Sequence, residues 1–120
     1  MLVADDELLI RWSIRETLQQ AGHSVTEAET ARSVRRELAA GSHPDVVLLD
    51  LRLPDSRGLD LLRDVRQMAP ESAVVMMTAY GTPEVEAEAL ALGAYRVINK
   101  PFDVASVVPL VRQAFDGRTT

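Results

Sequence analysis

Among the 120 residues a single lysine, Lys100, stands beside twelve arginines. It comes just after a short apolar run, Tyr95–Ile98, and other polar residues stand in the same relation to similar runs. Asp5 and Asp6 follow Met1–Ala4, Asp50 follows Val46–Leu49, and Thr78 follows Ala73–Met77. If these runs are neighbouring strands of one sheet, three carboxylates, one hydroxyl and one ammonium converge on one edge. Clustered carboxylates repel each other and raise at least one pKa, and a bound divalent cation removes that repulsion. An all-oxygen site with few protein ligands suits Mg²⁺. A carboxylate next to Mg²⁺ and a lysine can act as a nucleophile toward phosphorus. The two cations would neutralise the oxygens of a transferring phosphoryl group, and a threonine hydroxyl would donate to one of them. The chemistry suggested is formation of an aspartyl phosphate.

Each residue taken alone has a plainer reading. Asp5 or Asp6 suits a helix N-cap, Thr78 a strand end, and Lys100-Pro101 a loop. Asp50 is harder to dismiss, because no helical pattern follows it at once. Their joint placement at consecutive strand ends carries the functional reading.

The elements that must position these residues are legible as alternating patterns. The four apolar runs have strand length and β-branched content. A fifth run, Ser24–Ala28, alternates polar and apolar residues, as an edge strand does. Between the runs lie helical spacings. Ile10, Ile14, Leu18 and Ala21 share a face before Gly22; Ala31–Ala40 ends at Gly41; Leu59–Met68 ends before Pro70. Thr82-Pro83-Glu84 reads as the cap, first-turn proline and first-turn acid of a helix reaching Leu92. Asp103 caps a fifth, with Val104, Val107, Val108, Val111, Ala114 and Phe115 at helical spacing. Pro109 lies inside it, lacks an N–H for the carbonyl of Ala105, and should kink or split it.

Strand and helix alternating five times predict an α/β fold, a doubly wound (βα)5 sandwich with a parallel sheet covered on both faces. The least apolar strand is placed at an edge, consistent with the flavodoxin-like order 2-1-3-4-5, whose ligand sites lie beyond the carboxyl ends of the strands. The length supports one domain over residues 1–116, with 117–120 as a tail or the start of a linker.

Eighteen Asp and Glu against thirteen Lys and Arg give a formal net charge of −5. That balance argues against nonspecific binding to nucleic acid or anionic membranes. With no cysteine, disulfides, thiol nucleophiles and cysteine metal sites are excluded, which suits a reducing compartment. No apolar run approaches a membrane span and no signal peptide opens the chain, so a cytoplasmic location is expected. His23 and His43 lie near turns and lack metal-ligand spacing. Leu8, Leu9 and Trp12 fall off the apolar face of the first helix. Trp12 is therefore either part of an exposed partner surface beside Asp50 or packed against the fifth helix.

In sequence order, Val3-Ala4-Asp5-Asp6-Glu7, then residues 44–54 (PDVVLLDLRLP) with Gly58, then Met77-Thr78-Ala79-Tyr80, Gly93-Ala94 and Lys100-Pro101-Phe102 resemble the receiver domain of bacterial two-component response regulators. The resemblance covers essentially the whole chain. The Arg-Trp-Ser segment at 11–13, Thr78-Ala79-Tyr80-Gly81 and Lys100-Pro101-Phe102-Asp103 look most like receivers of the NtrC type, which usually precede an ATPase working with an alternative sigma factor. The resemblance implies that Asp50 accepts a phosphoryl group from a phosphohistidine on a sensor histidine kinase. It implies Mg²⁺ held by Asp5, Asp6, Asp50 and the backbone carbonyl of Arg52. Lys100, the Thr78 hydroxyl and the backbone N–H of Ala79 would contact the phosphoryl group. It also implies a regulatory phosphoacceptor rather than an enzyme, dimerisation through the fourth helix, fifth strand and fifth helix, DNA contact only through an output domain elsewhere, and a Lys100–Pro101 bond that is often cis.

The sequence departs from that pattern at the switch position. Three residues before the lysine, where many receivers carry Tyr or Phe, stands Val97, and the aromatic is Tyr95. The switch set is therefore read as Thr78, Tyr95, Val97 and Pro101, with ring-swinging by Tyr95 open. Among rivals, a flavodoxin-like cofactor carrier would want Gly, Ser and Thr in the first loop, where Asp5-Asp6-Glu7 repels phosphate. A haloacid-dehalogenase-type phosphatase needs a second Asp where this chain has Arg52. A degenerate receiver that only binds partners would not need the intact acidic, Thr and Lys positions.

Overall fold

In the computed structural model, which describes residues 1–118, each expected strand forms. The strands are β1 (Leu2–Ala4), β2 (Thr26–Ala28), β3 (Val46–Asp50), β4 (Ala73–Thr78) and β5 (Arg96–Asn99). All neighbours pair in parallel, in the order β2-β1-β3-β4-β5. Between and after them run α1 (Leu8–Gln20), α2 (Ala31–Ala39), α3 (Asp60–Met68), α4 (Pro83–Ala91) and α5 (Val107–Arg118). The expected flavodoxin-like α/β sandwich is the observed fold. The alternating run does lie at an edge: Thr26 is exposed and Glu27 half-buried, whereas every residue of β3 is buried.

Period-2 alternation divides the core between the two faces of the sheet. Val3, Val46, Leu48, Val75 and Met77 meet Ile14 and Leu18 of α1 and Val107, Val111 and Ala114 of α5. Leu2, Ala4, Val47, Leu49, Val74 and Met76 meet α2, α3 and Ala89 of α4 on the other face. Leu48 and Leu49 are fully buried on opposite faces. Burying such a side chain stabilises by about 1.5–3 kcal/mol. A one-residue slip would exchange the two faces of the strand. Core packing therefore sets the register that places Asp50 at the sheet edge.

Local chemistry sets the helix boundaries. The side chains of Thr30 and Thr82 cap α2 and α4 by accepting from the N–H groups of Ser33 and Val85. Gly22 (φ 95°) and Gly93 (φ 105°) take the left-handed backbone that ends α1 and α4, a conformation most side chains avoid. Leu59 precedes α3 rather than opening it, its buried side chain anchoring the loop end.

The expected fifth helix is split, as Pro109 requires. Asp103 caps a 3-10 turn over Val104–Ser106, and the α-helix begins at Val107. Pro109 thus falls in the first turn of α5, where a missing N–H costs little. The stretch expected as a tail from residue 117 continues α5 through Arg118; residues 119 and 120 lie outside the described residues. Trp12 is 49% exposed, beside Leu8 and Leu9 at 65% and 76%. His43 is exposed and His23 half-buried. Among the described residues no helix is long and apolar enough to cross a membrane.

Candidate functional site

Parallel pairing aligns the strand ends. Ala4 lies opposite Leu49, Asp50 opposite Met77, and Thr78 opposite Asn99. The residues at or just beyond those positions are Asp5, Asp50, Thr78 and Lys100, so the sheet itself gathers them. The Lys100 backbone N–H donates to the carbonyl of Thr78 at 2.8 Å, which anchors the start of the β5–α5 loop. Its side chain then lies across the strand ends. Nζ donates to Asp5 Oδ2 at 2.8 Å and to Asp50 Oδ2 at 3.1 Å, with Glu7 Oε1 at 3.6 Å. Asp5 is fully buried, Asp50 and the Lys100 side chain nearly so.

Local hydrogen bonds fix the two carboxylates. Asp5 Oδ1 accepts from the Glu7 N–H at 2.8 Å, and Asp50 Oδ1 from the Arg52 N–H at 3.1 Å. Arg11 supports the first loop from α1, donating to the Asp5 carbonyl at 2.8 Å while its Nε pairs with Glu27 at 3.0 Å. Thr78 is buried, and its Oγ1 accepts from the Tyr80 N–H at 3.1 Å. A Cβ on Gly81 would stand 2.9 Å from Thr78 Cγ2, so the bare glycine lets the β4–α4 loop lie against the threonine.

The electrostatics follow from crowding two buried acids around one ammonium. Burial raises the Asp50 carboxyl above its ordinary value; the Arg52 N–H opposes this, the charge of Asp5 adds to it, and Lys100 offsets part of it. Burial by itself would lower Lys100, but its bond to Asp5 and the charges of Asp5 and Asp50 outweigh that and raise it. One lysine serves two acids, so Asp50 is left under-compensated even though it is paired.

That imbalance has a consequence for stability. The folded chain binds the Asp50 proton more tightly than the unfolded chain does. The associated stabilisation is full below the ordinary value of 3.8 and is lost as pH rises through the folded-state value. At neutral pH the ionised carboxylate therefore destabilises the fold. In metal-free buffer at pH 7, Asp50→Asn is expected to melt a few degrees above the wild type, with the gain shrinking on acidification toward pH ~4. A mutant that melts lower than the wild type at pH 7 in chelator contradicts this account.

Carboxylate oxygens of Asp5, Asp6 and Asp50 lie within 4.8 Å of one another, Asp6 exposed and the other two buried. The donors are all oxygen and one side is open to solvent through Asp6. Both features fit Mg²⁺, which keeps several waters and binds through one or two carboxylates. The raised Asp50 carboxyl is a second sign that positive charge is in deficit there.

Some expected residues do not join this cluster. Tyr95 lies level with Val74, to whose carbonyl its N–H donates at 2.7 Å. That is four residues short of Thr78, or roughly 13 Å along the sheet. Its ring faces Gly117 and Arg96 at the far end of the molecule. Val97 pairs with Met76 and packs into the α2–α4 side of the core. The Lys100–Pro101 bond is cis.

Sequence reasoning missed Tyr80 as part of the site's surroundings. The Arg52 guanidinium lies 4.7 Å over its ring, a cation–π contact joining the loops after β3 and β4. Beneath it is a cavity of about 460 Å³ lined by Leu51, Arg52, Ser56, Thr78, Tyr80 and Val85. Two exposed residues on loops 28 positions apart carry no signal of contact in the sequence. Glu7 was also missed as a neighbour of Lys100, although its place directly after Asp5-Asp6 hinted at it.

Known proteins match the chain in sequence and in fold. Residues 1–112 match the response regulator receiver domain, and the chain belongs to that family. It is 38% identical over 112 residues to the DNA-binding transcriptional regulator NtrC of Escherichia coli, covering 93% of this chain and 24% of the relative. It is 39% identical over 115 residues to the response regulator protein PilR of Pseudomonas aeruginosa, covering 94% and 25%. Among solved structures, NtrX of Brucella abortus in complex with ADP superposes with a TM-score of 0.88 at 33% identity, over 98% of this chain and 27% of that one. A CheY-like receiver domain protein from Methanospirillum hungatei reaches 0.92 at 26% identity, over 98% and 94%. The chain spans about a quarter of the length of the curated relatives it matches. It is thus a receiver domain of the kind found in NtrC-type regulators, a regulatory phosphoacceptor family.

Proposed function

We propose that this receiver is a phosphorylation-dependent switch in which Asp50 accepts a phosphoryl group from a phosphohistidine of a sensor histidine kinase. The observation that carries the reading is the Lys100 ammonium held between Asp5 and Asp50 at one strand edge. An Asp50 carboxylate oxygen attacks phosphorus in line, the P–N bond breaks, and the imidazole leaves with the bonding pair and takes a proton from solvent. Asp5, Asp6, Asp50 and the Arg52 carbonyl would hold Mg²⁺, which would neutralise charge on the carboxylates and the phosphoryl oxygens. Lys100, held between Asp5 and Asp50, adds positive charge for the same oxygens. The Thr78 hydroxyl and the Ala79 N–H take one phosphoryl oxygen each. Water later cleaves the acyl phosphate and restores Asp50. Incubation with acetyl phosphate should add the mass of one phosphoryl group when Mg²⁺ is present and none in chelator; an unmodified wild type refutes the assignment.

The kinase docks beside the acceptor. Leu8, Leu9 and Trp12 are exposed there, next to an apolar cavity of about 350 Å³ lined by Ile10, Ala79, Lys100, Pro101, Phe102 and Val104. An exposed apolar patch of this kind marks a protein partner.

Output follows Thr78. When its hydroxyl leaves the Tyr80 N–H for the phosphoryl group, the β4–α4 loop moves, and α4 moves with it, since Ala89 is its one buried residue. The altered face of α4, β5 and α5 then forms a homodimer, and any control of transcription passes through an output domain in a cytoplasmic protein. Light scattering should show a larger particle with beryllofluoride and Mg²⁺ than without. One unchanging monomer removes the dimer from the scheme.

A further inference from the structure

The loop between β3 and α3 carries Arg52, whose carbonyl belongs to the proposed cation site. It crosses residues 51–59 without a helix or strand of its own. Its first part is tied down. The Leu51 N–H donates to the Met77 carbonyl at 2.8 Å, the Leu53 side chain is buried, and the Ser56 N–H closes a turn on the Leu53 carbonyl at 3.1 Å. From Pro54 the chain runs along the surface, where Pro54, Asp55 and Arg57 are exposed.

Asp55 reaches from that surface stretch to another element. Its Oδ1 accepts from the Ala31 N–H at 2.7 Å and its Oδ2 from the Arg32 N–H at 3.0 Å. These are first-turn donors of α2, unpaired within the helix, at the end where the backbone favours negative charge. The two bonds, that from Ala31 first, hold the Asp55 carboxyl below its ordinary value. The helix does not depend on Asp55 for a cap, because Thr30 already accepts from the Ser33 N–H. Nor does α2 give way when pulled, since Ala31, Val34 and Leu38 are buried against the sheet. A rigid helix end therefore grips the loop three residues after Arg52.

We propose that Asp55 is a positioning residue for phosphoryl transfer, clamping the β3–α3 loop to the N-terminus of α2 so that the Arg52 carbonyl is held in place for the cation. This rests on the Mg²⁺ site of the proposed function. Asp55 itself touches none of the reacting groups. Without the clamp, the stretch from Pro54 onward is released, the Arg52 carbonyl keeps only the anchors at Leu51 and Leu53, and affinity falls.

A helix cap alone would explain the same two bonds, so the test pairs two variants. Asp55→Ala and Thr30→Ala each remove an acceptor from the same end of α2, but only the first releases the loop. Mg²⁺ alone is titrated into each protein and read by backbone amide shifts, with melting recorded alongside. The wild type should saturate, and Asp55→Ala should bind about tenfold more weakly, the low end of what losing a ligand-supporting contact does. Thr30→Ala should bind as the wild type does despite melting earlier, and Asp55→Asn, which keeps one acceptor oxygen, should fall between. Unchanged affinity in Asp55→Ala, or an equal loss in Thr30→Ala, overturns the clamp and leaves the Mg²⁺ site standing. A wild type that does not bind Mg²⁺ overturns both.

Discussion

Asp50→Asn is expected to abolish phosphorylation by acetyl phosphate and Mg²⁺ completely, with intact mass showing no gain. The amide keeps the shape of the side chain and an oxygen to accept from the Arg52 N–H, so the loop after β3 is preserved. What it loses is the anionic oxygen that attacks phosphorus. The neighbouring acids are poor substitutes. Asp5 is fully buried and spends its oxygens on Lys100 and the Glu7 N–H. Asp6 is exposed, and in this scheme it faces the cation rather than the acceptor position. The mutant should also be the more stable protein in metal-free buffer at neutral pH, so an unfolded variant would not be the cause of lost labelling. Modification that persists in Asp50→Asn would move the acceptor to another residue.

Lys100 carries the second large effect. Lys100→Ala leaves the Asp5 and Asp50 carboxylates buried without their shared cation. Breaking a buried pair by removing one partner costs about 3–5 kcal/mol, and the value here should lie toward the lower end because Asp50 can take up a proton. Added Mg²⁺ should restore part of the loss, since it supplies the missing positive charge. The raised pKa of Lys100 sets the pH window. Its stabilisation is full below the ordinary value of 10.5 and is lost only as pH rises through the higher folded-state value. Urea titrations at neutral pH, with and without Mg²⁺, measure both effects; wild-type stability in Lys100→Ala would mean that the ammonium does not hold the acids together. Lys100→Arg separates charge from shape. A planar guanidinium cannot occupy the point-like position between Oδ2 of Asp5 and Oδ2 of Asp50, so the charge is kept while the response to beryllofluoride is impaired. An unaltered response in that variant would show that an ammonium is not specifically required.

The relation of chain to fold explains which of these residues were visible beforehand. β3 and β4 read as strands because a strand buried on both faces must be apolar throughout. The same rule placed Ser24–Ala28 at an edge, consistent with the 2-1-3-4-5 order observed. Asp50 stood out because no helical pattern follows it at once. Pro109 had no evident place in the middle of a fifth helix, and it does not lie there: the 3-10 turn at Val104–Ser106 moves the start of α5 to Val107, which puts Pro109 in its first turn. Tyr95 shows the opposite case. Its place two residues before Val97 left ring-swinging open, but β5 begins at Arg96, and height along the sheet separates Tyr95 from Thr78.

By itself the sequence determined the alternation of strands and helices, the parallel sheet and the set of acids, hydroxyl and ammonium at its carboxyl edge. These are consequences of hydrophobic period and chain order, which act locally and leave a regular trace. Only the tertiary structure decided which side chains meet. Lys100 bridging Asp5 across 95 positions, Arg52 lying over Tyr80, and Asp55 holding the first turn of α2 depend on loop paths and rotamers. Such contacts leave no periodic trace, because a polar side chain on a loop finds its partner only after the packed core has fixed the ends of that loop.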